Sequence, residues 1–170
     1  MGKLSDLKFK CTEKEYCSAT KWFYLNNSKI KIDIILSVVL ILIGSLFWIS
    51  GSNSIFNKMI PIFGCIFLLI ILFVLYVNPK RDFKKDPKHG DEYKLSFKEE
   101  GITFQSEHIN STIRWNNYLE LMENKSFFYL IFGKYMFTIL PKKSFKNDEE
   151  QDLFRKLVNK KLEEVKLHKK

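Results

Sequence analysis

The 170-residue sequence predicts an α+β membrane protein, in which a two-helix transmembrane hairpin precedes an antiparallel β-domain that ends in a C-terminal helix. Three observations lead to this fold class. The apolar residues concentrate between residues 34 and 77. Short runs in which apolar and polar residues alternate, as in half-buried strands, fill residues 93–140. The C-terminal segment then repeats apolar residues at the three- and four-residue spacing of an amphipathic helix.

Residues 1–29 are predicted to form a strand and an amphipathic helix that pack with the C-terminal domain. Residues 7–11 alternate apolar and basic side chains, and a strand needs partners to be stable in water. We therefore expect this strand to join the later sheet, with the hairpin inserted between them. Thr12 and Glu15 form a capping box that starts the helix. Because this start is polar and charged, we expect no cleavable signal peptide.

Residues 30–78 are predicted to form the transmembrane hairpin, with spans over about residues 30–49 and 59–77. Residues 34–49 and 59–77 carry no charge, which corresponds to about 24 Å and about 28 Å of helix. The hydrocarbon core of a bilayer is about 30 Å thick. Pro61 falls in the first turn of the second span, where proline is tolerated. Two buried helices of a soluble protein would be the alternative, but the remaining chain is too short to enclose both.

The basic residues flank the apolar block and predict the orientation of the hairpin. The connecting loop holds only Lys58, whereas Lys21, Lys29 and Lys31 precede the first span. Residues 80–88 contribute +3 of the net charge of +9, from five basic and two acidic residues. Segments rich in Lys and Arg beside a membrane span remain on the cytoplasmic side. We therefore expect a multi-pass protein of the cell membrane with two spans and both termini cytoplasmic.

Residues 79–91 are predicted to be a basic linker, and residues 92–170 to form the C-terminal β-domain. Gly, Asn and Glu clusters separate its short alternating runs, which predicts a meander of about six strands closed by one helix. Asn147 and Glu150 form a second capping box, which opens that helix. Pro79 is expected to end the second span. Trp115 is expected to anchor the core, and the alternative is an aromatic side chain that faces lipid or a ligand.

The run at residues 127–132 is apolar on both faces, whereas a strand with one face in the core should alternate. Something must therefore cover its second face. We expect the N-terminal helix to do so, because it lies on the same side of the membrane. A partner chain and the membrane itself are the alternatives.

Several short motifs of the C-terminal region are similar to a known pattern. They are Leu95-Ser96-Phe97 with Glu100-Gly101-Ile102, Ile113-Arg114-Trp115 with Tyr118-Leu119-Glu120, and Ile139-Leu140-Pro141-Lys142-Lys143-Ser144-Phe145. With these motifs, the meander and its final helix resemble a pleckstrin-homology-like (PH-like) antiparallel split barrel. Set behind a transmembrane hairpin, the chain resembles the bacterial YcxB-like family. The resemblance implies a membrane protein with a PH-like domain and implies no activity.

The sequence carries no pattern of a catalytic, cofactor-binding or metal-binding site. His89, His108 and His168 are scattered, and no second ligand at metal-site spacing accompanies them. Cys11, Cys17 and Cys65 form no close pair, and the chain lacks a GxSxG, P-loop or GxGxxG motif. We therefore expect no enzyme activity, no catalytic residues, no cofactor and no metal.

Two basic clusters are predicted to contact the membrane surface or a partner. They comprise Lys80, Arg81, Lys84, Lys85, Lys142, Lys143 and Lys146. The last three are expected on an exposed loop between the last strand and the final helix. A basic side chain near an anionic leaflet contributes about 1 kcal/mol of attraction. A tethered domain stays close to that leaflet, which favours docking over solvated loops.

The predicted function is a non-enzymatic integral membrane protein that presents a cytoplasmic PH-like binding or regulatory module. The expected partners are the lipid bilayer and either a protein partner or a second copy in a homo-oligomer. Nucleic acid is not expected, because a nucleic-acid module would carry its charge on the folded domain. The alternative is an immunity or protective membrane protein associated with a toxin or bacteriocin system.

Overall fold

The computed structural model describes residues 6–51, 54–133 and 136–168 of the chain. The chain divides into two compact units, the hairpin unit from Glu13 to Lys85 and a β-domain made of the chain up to Thr12 and from Asp86 onward. The hairpin unit is thus inserted, in sequence, into the β-domain. Lys134, predicted to lie in a turn, and Tyr135, predicted to begin the last strand, lie outside the described residues, as do residues 52–53 of the predicted connecting loop.

The first sheet of the β-domain has four antiparallel strands in the order β1-β2-β3-β4. The strands are β1 (Leu7–Lys10), β2 (Glu92–Phe97), β3 (Gly101–Gln105) and β4 (Asn110–Arg114). Leu7 of β1 lies opposite Leu95 of β2, which in turn lies opposite Phe104 of β3. This pairing confirms the prediction that the N-terminal strand joins the later sheet.

The second sheet has three antiparallel strands, β5 (Glu120–Glu123), β6 (Phe127–Gly133) and β7 (Met136–Pro141). A 3-10 turn over Trp115–Asn117 separates it from the first sheet. The predicted single meander is therefore wrong in one respect, because the strands form two sheets. The physical reason is the Tyr118 N–H, which bonds the Trp115 carbonyl at 3.1 Å and closes the turn.

The C-terminal helix α5 (Asp148–His168) packs on the core that the sheets share. Its start is the predicted capping box. The Asn147 Oδ1 accepts the Glu150 N–H at 2.9 Å, and the Glu150 Oε2 accepts the Lys146 N–H at 2.8 Å. Phe154 and Val158 of α5 are fully buried with Phe128 and Leu130 of β6. The opposite face of β6 is also buried, and its cover by the N-terminal helix stays a prediction.

The hairpin unit consists of four helices, α1 (Glu13–Asn26), α2 (Ser28–Ile49), α3 (Ile55–Tyr76) and α4 (Asn78–Lys85). The Asn27 side chain caps α2 by accepting the Lys29 N–H. By length and composition, α2 and α3 could each cross a membrane, as the sequence predicted. Only 11% and 17% of their most apolar windows are buried.

Small residues let α2 and α3 approach closely. A Cβ added to Gly44 of α2 would overlap the Pro61 ring and lie 2.6 Å from the Pro61 nitrogen. A Cβ added to Gly64 of α3 would lie 2.8 Å from the Ile41 Cγ1. Pro61 was expected in the first turn, but α3 begins at Ile55 and places it in the helix interior. Gly44 leaves room for its ring there.

The segment after α3 is helical where a linker was predicted. α3 ends at Tyr76, Val77 caps it, and α4 begins at Asn78. Pro79 lies in the first turn of α4, where its missing N–H costs nothing. Proline therefore starts a new helix here as well as ending the old one. A 3-10 turn at Pro87–Gly90 follows.

Candidate membrane-facing site

The basic residues of α4 share one face of the helix. Lys80 and Lys84 are four residues apart, as are Arg81 and Lys85, so the two pairs lie in adjacent rows. All four side chains are exposed, whereas Pro79 is buried. A short basic amphipathic helix directly after an apolar helix is the arrangement that lies along a membrane interface. The structure thus brings together the first four predicted contact residues.

Aromatic rings of α3 hold two cations at this end of the hairpin unit. The Lys21 Nζ on α1 donates to the Tyr76 hydroxyl at 2.7 Å and lies 4.0 Å from the centre of the Tyr76 ring. The Arg81 guanidinium lies 6.0 Å from the centre of the Phe73 ring. Both distances are within the range of a cation–π contact. The aromatic belt of a membrane interface contains tyrosine in this position.

Lys142 is not the exposed loop residue that was predicted. It lies in the 3-10 turn Lys142–Ser144, and its side chain is only 17% exposed. The Lys142 Nζ bonds the Glu123 Oε2 at 2.7 Å and sits 4.7 Å from the centre of the Phe128 ring. Its charge is therefore engaged inside the β-domain, and the expectation of full exposure is wrong for this residue.

Glu123 also joins the second sheet to α5. The Arg155 Nε and Nη2 each donate to a Glu123 carboxylate oxygen at 2.9 Å, and Arg155 also bonds Asp152. This two-pronged contact is the strong geometry for an arginine–carboxylate pair. The bonds from Arg155, and then those from Lys142, lower the pKa of Glu123 to about 2. The ion-pair network of Glu123, Lys142 and Arg155 therefore stabilises the packing of α5 against the second sheet.

Lys143 and Lys146 keep exposed side chains, as predicted. Lys146 precedes the helix start, and its backbone N–H is bonded by Glu150. Together with Lys142 they belong to the β-domain, whereas the four basic residues of α4 belong to the hairpin unit. Their contact with a membrane or a partner stays a prediction.

Replacing Glu123 with glutamine is expected to lower the free energy of unfolding by about 1 kcal/mol at neutral pH, the order that a screened, partly exposed ion pair supplies. The pKa of Glu123 falls from its ordinary 4.5 to about 2 on folding. A lowered pKa stabilises the fold above the ordinary value, and this contribution is lost as the pH falls from about 4.5 toward about 2. Denaturation of the full chain in detergent at pH 7 and at low pH measures the difference.

The matched control is Glu120→Gln, an exposed residue on the same strand with no ion pair among the described residues. It should leave the unfolding free energy within about 0.5 kcal/mol of the parent. A difference between parent and Glu123→Gln that is the same at both pH values would contradict the role of the carboxylate charge.

Asp91, Ser106 and His108 form a second polar cluster, at the end of the β3–β4 connection. The Asp91 Oδ2 accepts the Ser106 hydroxyl at 2.8 Å and lies 2.9 Å from the His108 Nδ1. The bond between them raises the pKa of His108 and lowers that of Asp91. Ser106 bonds the acid and the backbone N–H groups of His108 and Ile109. Ser106 thus faces the carboxylate and not the imidazole, so the geometry fixes a turn and builds no nucleophile relay.

A shallow cleft of about 570 Å³ opens between the β2–β3 turn, the end of β4 and α5. Its charged lining combines acids with bases, namely Glu99, Glu100, Glu164, Arg114 and Lys161. The Lys161 Nζ bonds Glu164 at 3.0 Å. Because the lining carries charges of both signs, it favours neither an anionic nor a cationic ligand. Within the described residues, no group of three or more His, Cys, Asp or Glu side chains could hold a metal ion.

Comparison with known proteins finds a family match in the C-terminal part of the chain. Residues 97–158 match the family described as YcxB-like protein. This segment of the chain is similar to the YcxB-like family. The matched segment runs from the end of β2 into α5, so it contains both partners of the ion-pair network on Glu123 and the whole second sheet. The predicted resemblance is confirmed.

A curated relative of this chain is the uncharacterized protein YcxB of Bacillus subtilis (strain 168). The two are 27% identical over 116 residues, which cover 68% of this chain and 63% of the relative. The chain thus spans less than two thirds of the length of that relative. No solved structure matches the chain.

Sequence reasoning missed the partners of the cations. Arg155 and Glu123 are 32 positions apart, and Lys21 and Tyr76 are 55 positions apart. A pattern within one element could not reveal either pair. The one available signal was Glu123 itself, an acidic residue at the end of β5.

Proposed function

We propose that this YcxB-like chain is a non-enzymatic integral membrane protein that presents a cytoplasmic PH-like module to the anionic surface of its own bilayer. The observation that carries the proposal is α4, whose four exposed cations lie on one face directly after α3. At about 1 kcal/mol for each cation, such a face holds the chain against anionic headgroups.

Exposure of the apolar helices supports membrane insertion. A core helix of a soluble protein is mostly buried, whereas α2 and α3 expose most of their large side chains. Soluble monomers rarely expose a continuous apolar patch beyond a few hundred Å². Hydrocarbon is the environment that such a surface fits.

The strand arrangement of the β-domain supports the PH-like assignment. Four strands form one antiparallel sheet, three form the next, and a single C-terminal helix packs on the core between them. A split barrel with a C-terminal helix would divide its strands in this way. The module has no metal-binding group among its described residues, so recognition through surface charge is its proposed mode.

The orientation rests on the positions of the lysines. Lys58 is the basic residue of the α2–α3 end, whereas α1 and α4 supply many at the opposite end. Positively charged flanks remain in the cytoplasm. Both ends of this chain are therefore proposed to be cytoplasmic.

Expression of the full chain in bacterial membranes tests the proposal. The chain should resist extraction by alkaline carbonate. A reporter fused after Lys170 should give a cytoplasmic signal, and one inserted after Gly51 an extracytoplasmic signal. Release by carbonate would overturn membrane insertion, and an extracytoplasmic signal after Lys170 would overturn the topology.

A further inference from the structure

The cytoplasmic end of the hairpin unit carries two cations whose positions are fixed by neighbouring rings of one helix. Lys21 lies over Tyr76, and Arg81 lies over Phe73. Phe73 and Tyr76 are three residues apart, so they are neighbours on one face of α3. Neighbouring rings of one helix therefore hold the two cations, although these come from α1 and α4.

These cations retain free donor capacity. The Lys21 ammonium has three donors, one of which is used by Tyr76. In the part of the chain that the structure describes, no acceptor lies within hydrogen-bond distance of the Arg81 guanidinium, which has five donors. A guanidinium and an ammonium held on neighbouring rings can both donate to the oxygens of a phosphodiester. The net charge of α4 is +3, from four cations and Asp82.

An apolar groove of about 380 Å³ lies below them, between α2 and α3. It is lined by Leu36, Leu40, Phe63, Ile66, Phe67 and Ile70. Ile66, Ile70 and Phe73 follow the i, i+4, i+7 spacing, so the groove and the ring under Arg81 belong to one stripe of α3. Ile70 is about 9 Å along the helix from Tyr76. The groove therefore leads from the middle of the hairpin toward the two cations.

We propose that the hairpin unit binds one anionic phospholipid, with its phosphodiester at Lys21 and Arg81 and one acyl chain in this groove. The inference rests on the proposed membrane insertion and adds a ligand and a site to it. Charge complementarity favours an anionic headgroup. The apolar groove favours an acyl chain, and its volume falls in the range usual for ligand clefts, about 300–1,000 Å³. The general attraction of α4 for an anionic surface requires neither feature.

Native mass spectrometry of the full chain, released from nanodiscs of mixed phosphatidylglycerol and phosphatidylcholine, tests this site. We expect phosphatidylglycerol to be retained at least about tenfold over phosphatidylcholine, since two basic contacts supply up to about thirtyfold. The double variant Lys21→Gln with Arg81→Gln should reduce this preference to less than about twofold. The groove-filling variant Ile70→Trp should also lose the lipid, with every cation still present.

The matched control is the double variant Lys29→Gln with Lys31→Gln, which removes the same charge from the start of α2, at the same end of the unit, without touching the rings or α4. It should keep most of the preference. Equal losses in the two double variants would assign the preference to diffuse charge and overturn the site. Displacement of the lipid by millimolar glycerol 3-phosphate would show that the acyl chain adds nothing to binding and would overturn the groove as part of the site. A dimer that excludes the lipid would overturn it as well.

Carbonate extraction of the same preparations separates the two proposals. A chain that carbonate releases is not inserted, and both proposals then fail. A chain that stays in the membrane but retains both lipids equally leaves membrane insertion standing and overturns the lipid site alone.

Discussion

Replacement of Gly44 with leucine is expected to force α2 and α3 apart and to destabilise the hairpin by about 3 kcal/mol, the upper end of the usual cost of overpacking. An added Cβ already overlaps the Pro61 ring and comes within 2.6 Å of the Pro61 nitrogen. A proline ring on a helix cannot rotate aside, so the helix axes must move. Helix pairs in membranes depend on such small residues for close contact.

Disulfide cross-linking measures the separation. Cysteines placed at facing positions of α2 and α3, in a background without Cys65, should cross-link in the parent and fail to do so with Gly44→Leu. Leu42→Ala is the matched control, because Leu42 lies on the same helix and its side chain is 60% exposed. Undiminished cross-linking in Gly44→Leu would show that the two helices do not approach through this glycine.

The regular elements were predictable because their periodicity is local. The uncharged runs of α2 and α3, the alternation in β1 and the capping residues of α5 each carry their signal within one segment. The strand pairing of β1 followed from a physical requirement, since an isolated strand is not stable in water. These predictions did not need any knowledge of distant partners.

The remaining features depend on contacts between distant segments. Lys142 was predicted on an exposed loop because it follows the last strand, and its acceptor Glu123 is 19 positions away. The break between the two sheets rests on one backbone bond across the Trp115 turn. α4 was missed because Pro79 signals the end of a helix and equally suits the first turn of the next. The contacts of Lys21 with Tyr76 and of Arg81 with Phe73 form only when α1, α3 and α4 pack together.

Trp115 lies where the two sheets separate, and its side chain is only 4% exposed. The Trp115 Nε1 donates to the Lys98 carbonyl at 3.0 Å, which ties the β2–β3 turn to the end of β4. Its ring pairs with that of Tyr118 at 5.9 Å, and Tyr118 in turn meets Phe132 of the second sheet at 6.2 Å. One side chain thus connects a turn, both sheets and the core.

Replacing Trp115 with alanine is therefore expected to lower the free energy of unfolding by about 3–5 kcal/mol, because the large cavity cannot be refilled by the rigid strand ends around it. Trp115→Phe keeps most of the ring volume and loses the bond to Lys98, so it should cost about 1–2 kcal/mol. Denaturant unfolding of the full chain in detergent, with Trp22 and Trp48 replaced by phenylalanine, measures both variants by far-ultraviolet circular dichroism. The neighbouring Leu119→Ala, a residue that is 53% exposed, is the control and should stay within about 0.5 kcal/mol of the parent. If Trp115→Ala also stayed within that range, the indole would not anchor the core, and the alternative of an aromatic side chain presented to lipid or to a ligand would take its place.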